Sequence, residues 1–378
     1  MKTFELLRLR LHNNAEPSGN EKNTNKIINR FLERTKPDLH IKNIGGYSII
    51  AVYKGKEEGK NILLRADIDG LNIPMNTQQS AGNSLRPYSH RCGHDGHATI
   101  LCGLAFRLAK KRPEKGNVIL LFQAAEETGE GAVAVINDPR FRELKIDAAY
   151  ALHNLPSFAK HQIIIKNDCF ASASLGLKLI FEGSTSHASQ PENGNNPQKA
   201  IMILLDAFKK KYENLKKERY RTLLTITHVS IGEKTFGVSP GHAEIWITMR
   251  SQNNKSLQHL KESTIDLSDY IAKEFNLDFS HSIHEAFSAS INSLEKTSMV
   301  ELAAKSLKLS VNKIQEPFPW SEDFGRFGET CPTCLFGLGC GLEHEPLHSP
   351  TYEFEDEIID TGIDMFEKIV ELEMKNKE

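Results

Sequence analysis

Val118-Ile119-Leu120-Leu121-Phe122-Gln123-Ala124-Ala125-Glu126-Glu127 runs from five apolar residues straight to two adjacent carboxylates. A continuous apolar run of this length reads as a strand buried on both faces, as in a parallel sheet covered by helices. Ala148 to Leu152 is a second such run, and it stops at His153-Asn154. Ahead of the first run, Ile100, Leu101, Leu104 and Leu108 fall at helical spacing, and Pro113 and Gly116 close that helix. A loop rich in Gly, Ser, Asn and Pro precedes it and ends at His90-Arg91-Cys92-Gly93-His94-Asp95-Gly96-His97. Tyr47 to Tyr53 and Asn61 to Ala66 are β-rich runs on either side of Lys54-Gly55-Lys56-Glu57-Glu58-Gly59-Lys60, a spacing that predicts a hairpin. Strands alternating with helices predict an open α/β sheet.

The middle of the chain follows another order. Leu175 to Phe181, Leu223 to Ile231, His242 to Met249 and Leu277 to His284 read as strands, and Pro197 to Tyr212 and Leu257 to Phe275 as helices. The sequence β-α-β-β-α-β is the ferredoxin-like split unit, which closes its own core. The expected architecture is therefore α/β, a discontinuous open-sheet catalytic domain (residues 1–170 plus 287–378) carrying an inserted ferredoxin-like α+β lid domain (171–286). A length of 378 residues suits such a division, at roughly 150 residues per domain.

Composition excludes several classes. Lys plus Arg is 47 and Asp plus Glu is 49, giving a net charge of −2, without the basic excess of a dedicated nucleic-acid binder. No run of about 18 apolar residues occurs, so no membrane span is expected. Charges interrupt each apolar stretch of Met1 to Asn14, so no signal-peptide core forms there. Six cysteines in a chain this long do not make a secreted disulfide framework, and a cytoplasmic location is expected.

Chemistry-bearing residues sit where strands end. Ligand sites of open α/β sheets form beyond the carboxyl ends of the strands. Glu126 and Glu127 follow one strand and His153 another; Cys92 and His94 precede a helix; His348 follows the apolar stretch Cys334 to Leu338. One thiolate, three imidazoles and two carboxylates are what two divalent cations need, because thiolate sulfur can bridge and the other donors complete the shells. The cations would be manganese, zinc, nickel or cobalt, since this donor set holds several metals.

Arg65-Ala66-Asp67-Ile68-Asp69, Cys92-Gly93-His94-Asp95-Gly96-His97, Gln123-Ala124-Ala125-Glu126-Glu127, Leu152-His153-Asn154, Ser321-Glu322-Asp323-Phe324 and Leu347-His348-Ser349-Pro350 together resemble the metal-dependent N-acyl-amino-acid amidohydrolases. That family includes hippurate hydrolases, bacterial aminoacylases, N-acetyldiaminopimelate deacetylases and auxin-conjugate hydrolases. The resemblance implies that Cys92, His94, Glu127, His153 and His348 bind the metals and that Glu126 is the general base. It places Asp67 and Asp69 behind the ligands, orienting them. It assigns His187 to the developing oxyanion and Arg250 to the substrate carboxylate. The implied substrate is a small N-acyl amino acid, cleaved to a carboxylate and a free amino acid. In some relatives the lid histidine comes from a partner subunit, which admits a homodimer through the lid.

Three positions depart from the family pattern. Gly237 stands where an asparagine is usual, Thr185-Ser186 replaces a glycine pair, and Asn72 replaces a proline. The first two leave the acyl specificity open. An N-acetyldiaminopimelate deacetylase, a metallo-dipeptidase or carboxypeptidase, and a silent binding protein on the same fold stay as alternatives. His90, His97 and His344 read as ordinary capping or loop residues. Cys331 and Cys334 form a CxxC without a second one and read as ordinary buried cysteines rather than a redox pair. The lysine runs at 209–211 and 216–217 read as solvated helix ends.

Overall fold

A computed structural model describes residues 3–74, 87–215 and 221–375. The expected loop before His90 and the Lys216-Lys217 run fall wholly or largely outside the described residues. The chain folds as two compact units: residues 1–170, 290–317 and 322–378 form one, and 171–289 with 318–321 form the other.

The first unit is built on an eight-stranded mixed sheet among the described residues. Its strands lie in the order Leu39–Ile44, Ser48–Lys54, Lys115–Gln123, Glu57–Asp67, Ala148–Pro156, Thr333–Gly341, Ile163–Ile165, Val311–Lys313. The central four, from Lys115–Gln123 to Thr333–Gly341, run parallel. Their carboxyl ends therefore share one edge, with Asp67 level with Gln123 and His153 level with Gly337. Val118, Leu120, Leu121 and Phe122 are fully buried, as the apolar run requires. The helices His94–Lys110 and Ile359–Lys375 pack together and, with Leu294–Ser306, contribute to this core.

The hairpin expectation is overturned. Lys115–Gln123 enters between Ser48–Lys54 and Glu57–Asp67, antiparallel to the first and parallel to the second. Every residue from Ser48 to Tyr53 is buried, so this strand needs a partner buried on both faces. The connecting turn is stitched to the intruder, Gly55 N–H donating to Gly116 O (2.7 Å) and Lys56 N–H to Glu114 O (3.0 Å). A Cβ on Gly55 would stand 2.6 Å from Gly116 O, so glycine is what allows the approach.

The second unit is a four-stranded antiparallel sheet in the order Thr222–Ile231, His242–Ser251, Ala173–Glu182, Asp278–Phe287. With helices Gln198–Leu215 and Asn254–Glu274 it has the β-α-β-β-α-β order and the 2-3-1-4 strand arrangement of the ferredoxin-like split. Leu175, Leu177, Leu179 and Phe181 alternate into its core. Asn253 caps the second helix, accepting from Ser256 N–H at 3.1 Å. Phe318–Ser321 completes the unit: Ser172 N–H donates to Phe318 O (3.2 Å) and Trp320 O (3.0 Å), and Arg250 Nη1 to Pro319 O (3.0 Å) and Ser321 Oγ (3.2 Å). Among the described residues no helix is long and apolar enough to cross a membrane.

Candidate metal centre

Cys92, His94, Glu127, His153 and His348 converge at the carboxyl edge of the large sheet. Cys92 Sγ lies 3.5 Å from His153 Nε2 and 3.4 Å from His348 Nε2. Glu127 Oε1 lies 3.8 Å from His94 Nε2 and 4.0 Å from His348 Nε2. Two triads share the sulfur: Cys92, His94 and His153, and Cys92, Glu127 and His348, with the donor atoms of each within 4.8 Å of one another.

Local backbone explains the convergence. Gly93 caps the His94 helix at φ +94°, and a Cβ there would stand 2.3 Å from Asn154 Oδ1. Glycine alone lets Cys92 and His94 turn toward the same point. Ala125, at φ +55°, bends the chain off its strand, and its N–H donates to buried Glu21 Oε1 at 2.8 Å. Glu127 N–H donates to Asp69 Oδ2 at 2.9 Å. His348, at φ +66°, is tied by its N–H to Arg91 O at 2.8 Å.

The histidines are oriented from behind. His94 Nδ1 contacts Asp69 Oδ1 at 3.0 Å and His153 Nδ1 contacts Asn154 O at 2.8 Å. Acceptors at Nδ1 fix the proton there and leave each Nε2 lone pair facing Cys92 or Glu127. His94 Nε2 and Glu127 Oε1 are buried yet have no hydrogen-bond partner. Buried polar atoms are rarely left so. Burial, then the Glu127 charge, pushes the Cys92 thiol up. Burial pushes Glu127 up to about 8, against the pull of His94 and helped by Asp69 and Asp67. Burial pushes His153 down to about 3, and the neighbouring His97 adds to this. The Cys92 thiol, the Glu127 carboxyl and the His153 imidazole are held toward neutrality, while Asp67 and Cys92 draw His94 toward its charged form against its burial. Donors gathered around one point in this way fit a divalent cation, which supplies the missing charge and takes the place of the proton on His94 Nε2.

Glu126 is 5% exposed, and its Oε1 accepts from Asp323 N–H at 3.1 Å. Asp67 contacts His97 Nδ1 (2.6 Å) and Arg65 Nη1 (2.8 Å) and lies 3.6 Å from His94 Nε2. His97 is more than the capping residue expected from sequence. Fully buried between Asp67 and Asn154 Oδ1 (2.6 Å), it has its ring 4.8 Å from that of His153. The signal was present, because His94 and His97 are three residues apart on one helix face. Arg65, Asn154 and Asp323 stood in quoted motifs, but nothing local shows that they meet.

In the second unit, Ser186–His187 pairs with Val238–Ser239, and Val238 lies opposite His187. Ser189 N–H donates to His187 Nδ1 at 3.1 Å. That assigns the proton to Nε2, which becomes a donor. Gly237, at the departure from the family pattern, accepts from Ala188 N–H through its own carbonyl at 3.0 Å. Cys331 and Cys334 are buried, free and pushed up by burial, so neither is an activated thiol.

Comparison with known proteins bears on this centre. The sequence pattern of "Peptidase family M20/M25/M40" matches residues 63–372. An N-acetyl-L-cysteine deacetylase of Bacillus subtilis (strain 168) is 29% identical over 354 residues, covering 93% of this chain and 84% of that protein. A hippurate hydrolase of Campylobacter jejuni is 26% identical over 371 residues, covering 97% and 95%. A Bacillus subtilis protein described as a dinuclear metal binding peptidase superimposes with a TM-score of 0.81 at 24% identity, covering 99% of this chain and 98% of that one, and shares the fold.

Proposed function

Because the chain belongs to peptidase family M20/M25/M40 and is thus a metal-dependent hydrolase of amide bonds, we propose that it cleaves small N-acyl amino acids to a carboxylate and a free amino acid. The observation that carries this reading is the pair of buried, unpartnered atoms His94 Nε2 and Glu127 Oε1 beside the shared Cys92 sulfur.

Cys92, His94, Glu127, His153 and His348 would hold two divalent ions, manganese, zinc, nickel or cobalt. When bound, the ions polarise the acyl carbonyl and acidify water. Glu126 takes a proton from the attacking water and returns it to the leaving amine. Its burial, with Glu322 and Glu127 nearby, raises its proton affinity, as a base that must also serve as acid needs. His187, with its proton on Nε2, donates to the oxyanion. Arg250 holds the substrate carboxylate, and Asp67 and Asp69 orient the histidines. In this reading the first unit is catalytic, and the second is the lid and the homodimer contact. All six cysteines are buried and none forms a disulfide, which suits a reducing compartment, and we place the protein in the cytoplasm.

The test is a panel of acetyl, benzoyl and dipeptide substrates, with N-acetyldiaminopimelate, run on chelated and metal-restored protein. Turnover of acyl amino acids, lost on chelation and restored by one of the four ions, supports the reading. Turnover of dipeptides alone, or metal-replete protein inert across the panel, rejects it.

A further inference from the structure

We infer that Arg65 and Asp323, with Gln123, are positioning residues that aim the Glu126 carboxylate, an inference that rests on Glu126 being the base. A carboxylate base works through one oxygen, and the other must be pinned or the group rotates. Glu126 Oε1 is pinned by Asp323 N–H at 3.1 Å.

That amide is held by its own side chain. Asp323 Oδ1 accepts from Arg65 Nη2 (2.8 Å) and Gln123 Nε2 (2.8 Å). Its Oδ2 accepts from Gln123 Nε2 (2.7 Å) and Ala132 N–H (2.9 Å). Arg65 Nε donates to Gln123 Oε1 at 3.0 Å, and Nη2 also reaches Glu322 Oε1 at 3.0 Å. Arg65, Gln123, Glu322 and Asp323 are each 2% exposed or less, so water does not compete for these bonds.

The grid joins parts that the chain keeps apart. Gln123 ends the strand from which Glu126 departs, so one side chain ties the base's own strand to the amide that pins the base. Arg65 lies on the neighbouring parallel strand and also holds Asp67, which borders His94 and His97. A single guanidinium thus sets the register between the base and the histidines. Its planar fork suits several acceptors at once, and a lysine ammonium cannot span them. Misplacing a reacting group by about 1 Å costs on the order of 10²-fold in rate.

The experiment uses the full chain with Asp323→Asn and Arg65→Lys. Asp323→Asn replaces an acceptor oxygen with a donor facing Gln123 Nε2 or Ala132 N–H. Expected are a kcat lower by on the order of 10²-fold, KM within about twofold, wild-type metal content by elemental analysis and an unchanged visible spectrum of the cobalt form. Crystal structures of the variants should show the Glu126 carboxyl rotated away from residue 323, a readout independent of turnover. Wild-type kcat with Glu126 unmoved overturns the inference, and so does a loss explained by missing metal. Failure of both variants to give soluble protein would mark the grid as a folding device and overturn it also. An inert wild type, by contrast, strikes the hydrolase reading and leaves the carboxyl position as the deciding result here.

Discussion

Glu126 and Glu127 are neighbours in sequence for which we propose opposite tasks, and the difference lies in what each oxygen meets. Glu127 Oε1 faces His94 and His348 without a hydrogen-bond donor, while Glu126 Oε1 is fastened to a backbone amide. Glu126→Gln keeps the shape and removes the proton acceptor. It should lower kcat by roughly 10²–10⁴-fold while bound metal, measured by elemental analysis, stays at the wild-type level. Gly96 offers a stability test close by. A Cβ there would sit 2.2 Å from the Phe354 ring. Gly96→Ala should cost about 1–3 kcal/mol of overpacking, read by urea denaturation.

Much of this centre could be read residue by residue. A thiol, histidines and paired acids at strand ends announce a metal site, and five donors named from the sequence do converge. Arg65 was not legible in the same way. A buried arginine looks like any strand arginine until Glu322 and Asp323, more than 250 positions away, fold against it. His97 reads from sequence as an ordinary helix-start histidine, and only Asp67 and Asn154 on either side reveal its place.

At the level of elements, the apolar run from Val118 announced a strand buried on both faces, but not its neighbours. Two β-runs joined by a short glycine-containing turn usually pair with each other. Here the turn opens because Gly55, Gly59 and Gly116 permit backbones to pass within contact distance. Sequence-local rules do not weigh a third strand that arrives after a whole helix. The last helix, Ile359–Lys375, is fastened just as non-locally. Buried Glu373 pairs with Lys296 (2.8 Å) and Lys60 (3.2 Å) and accepts from the Tyr150 hydroxyl. Burial pushes its carboxyl up, but the Lys296 and Tyr150 hydrogen bonds outweigh this and hold it below the usual glutamate value. A depressed folded pKa contributes stability above the unfolded value, and that contribution disappears as pH falls through the folded one. Glu373→Gln should therefore cost about 1–3 kcal/mol at pH 7, because Lys296 is left with Glu295 (2.8 Å) as its acidic partner. In melts followed by circular dichroism, the gap from wild type should narrow steadily as the pH is taken below the ordinary carboxylate range. A constant gap would count against this account.

Across the whole molecule, the donors come from stretches as far apart as Cys92 and His348, 256 positions. An ion that binds only the folded chain stabilises it by mass action, by about 2.7 kcal/mol at a hundredfold excess over Kd. Chelation should accordingly lower Tm, and restoring the ion should raise it. Cys92→Ser should blunt that rise, because the sulfur belongs to both triads. Calorimetry with and without chelator checks this, and equal Tm values in both states would rule it out.

The second unit is assembled from two stretches, and the smaller one is only Phe318–Ser321. Those four residues supply the acceptors for Ser172 and Arg250 and a Phe318–Trp320 ring stack at 4.9 Å. A chimera that transplants 171–289 from a relative therefore inherits an incomplete module. The tetrapeptide has to travel with it, or the grafted arginine arrives without the carbonyl and hydroxyl that hold it.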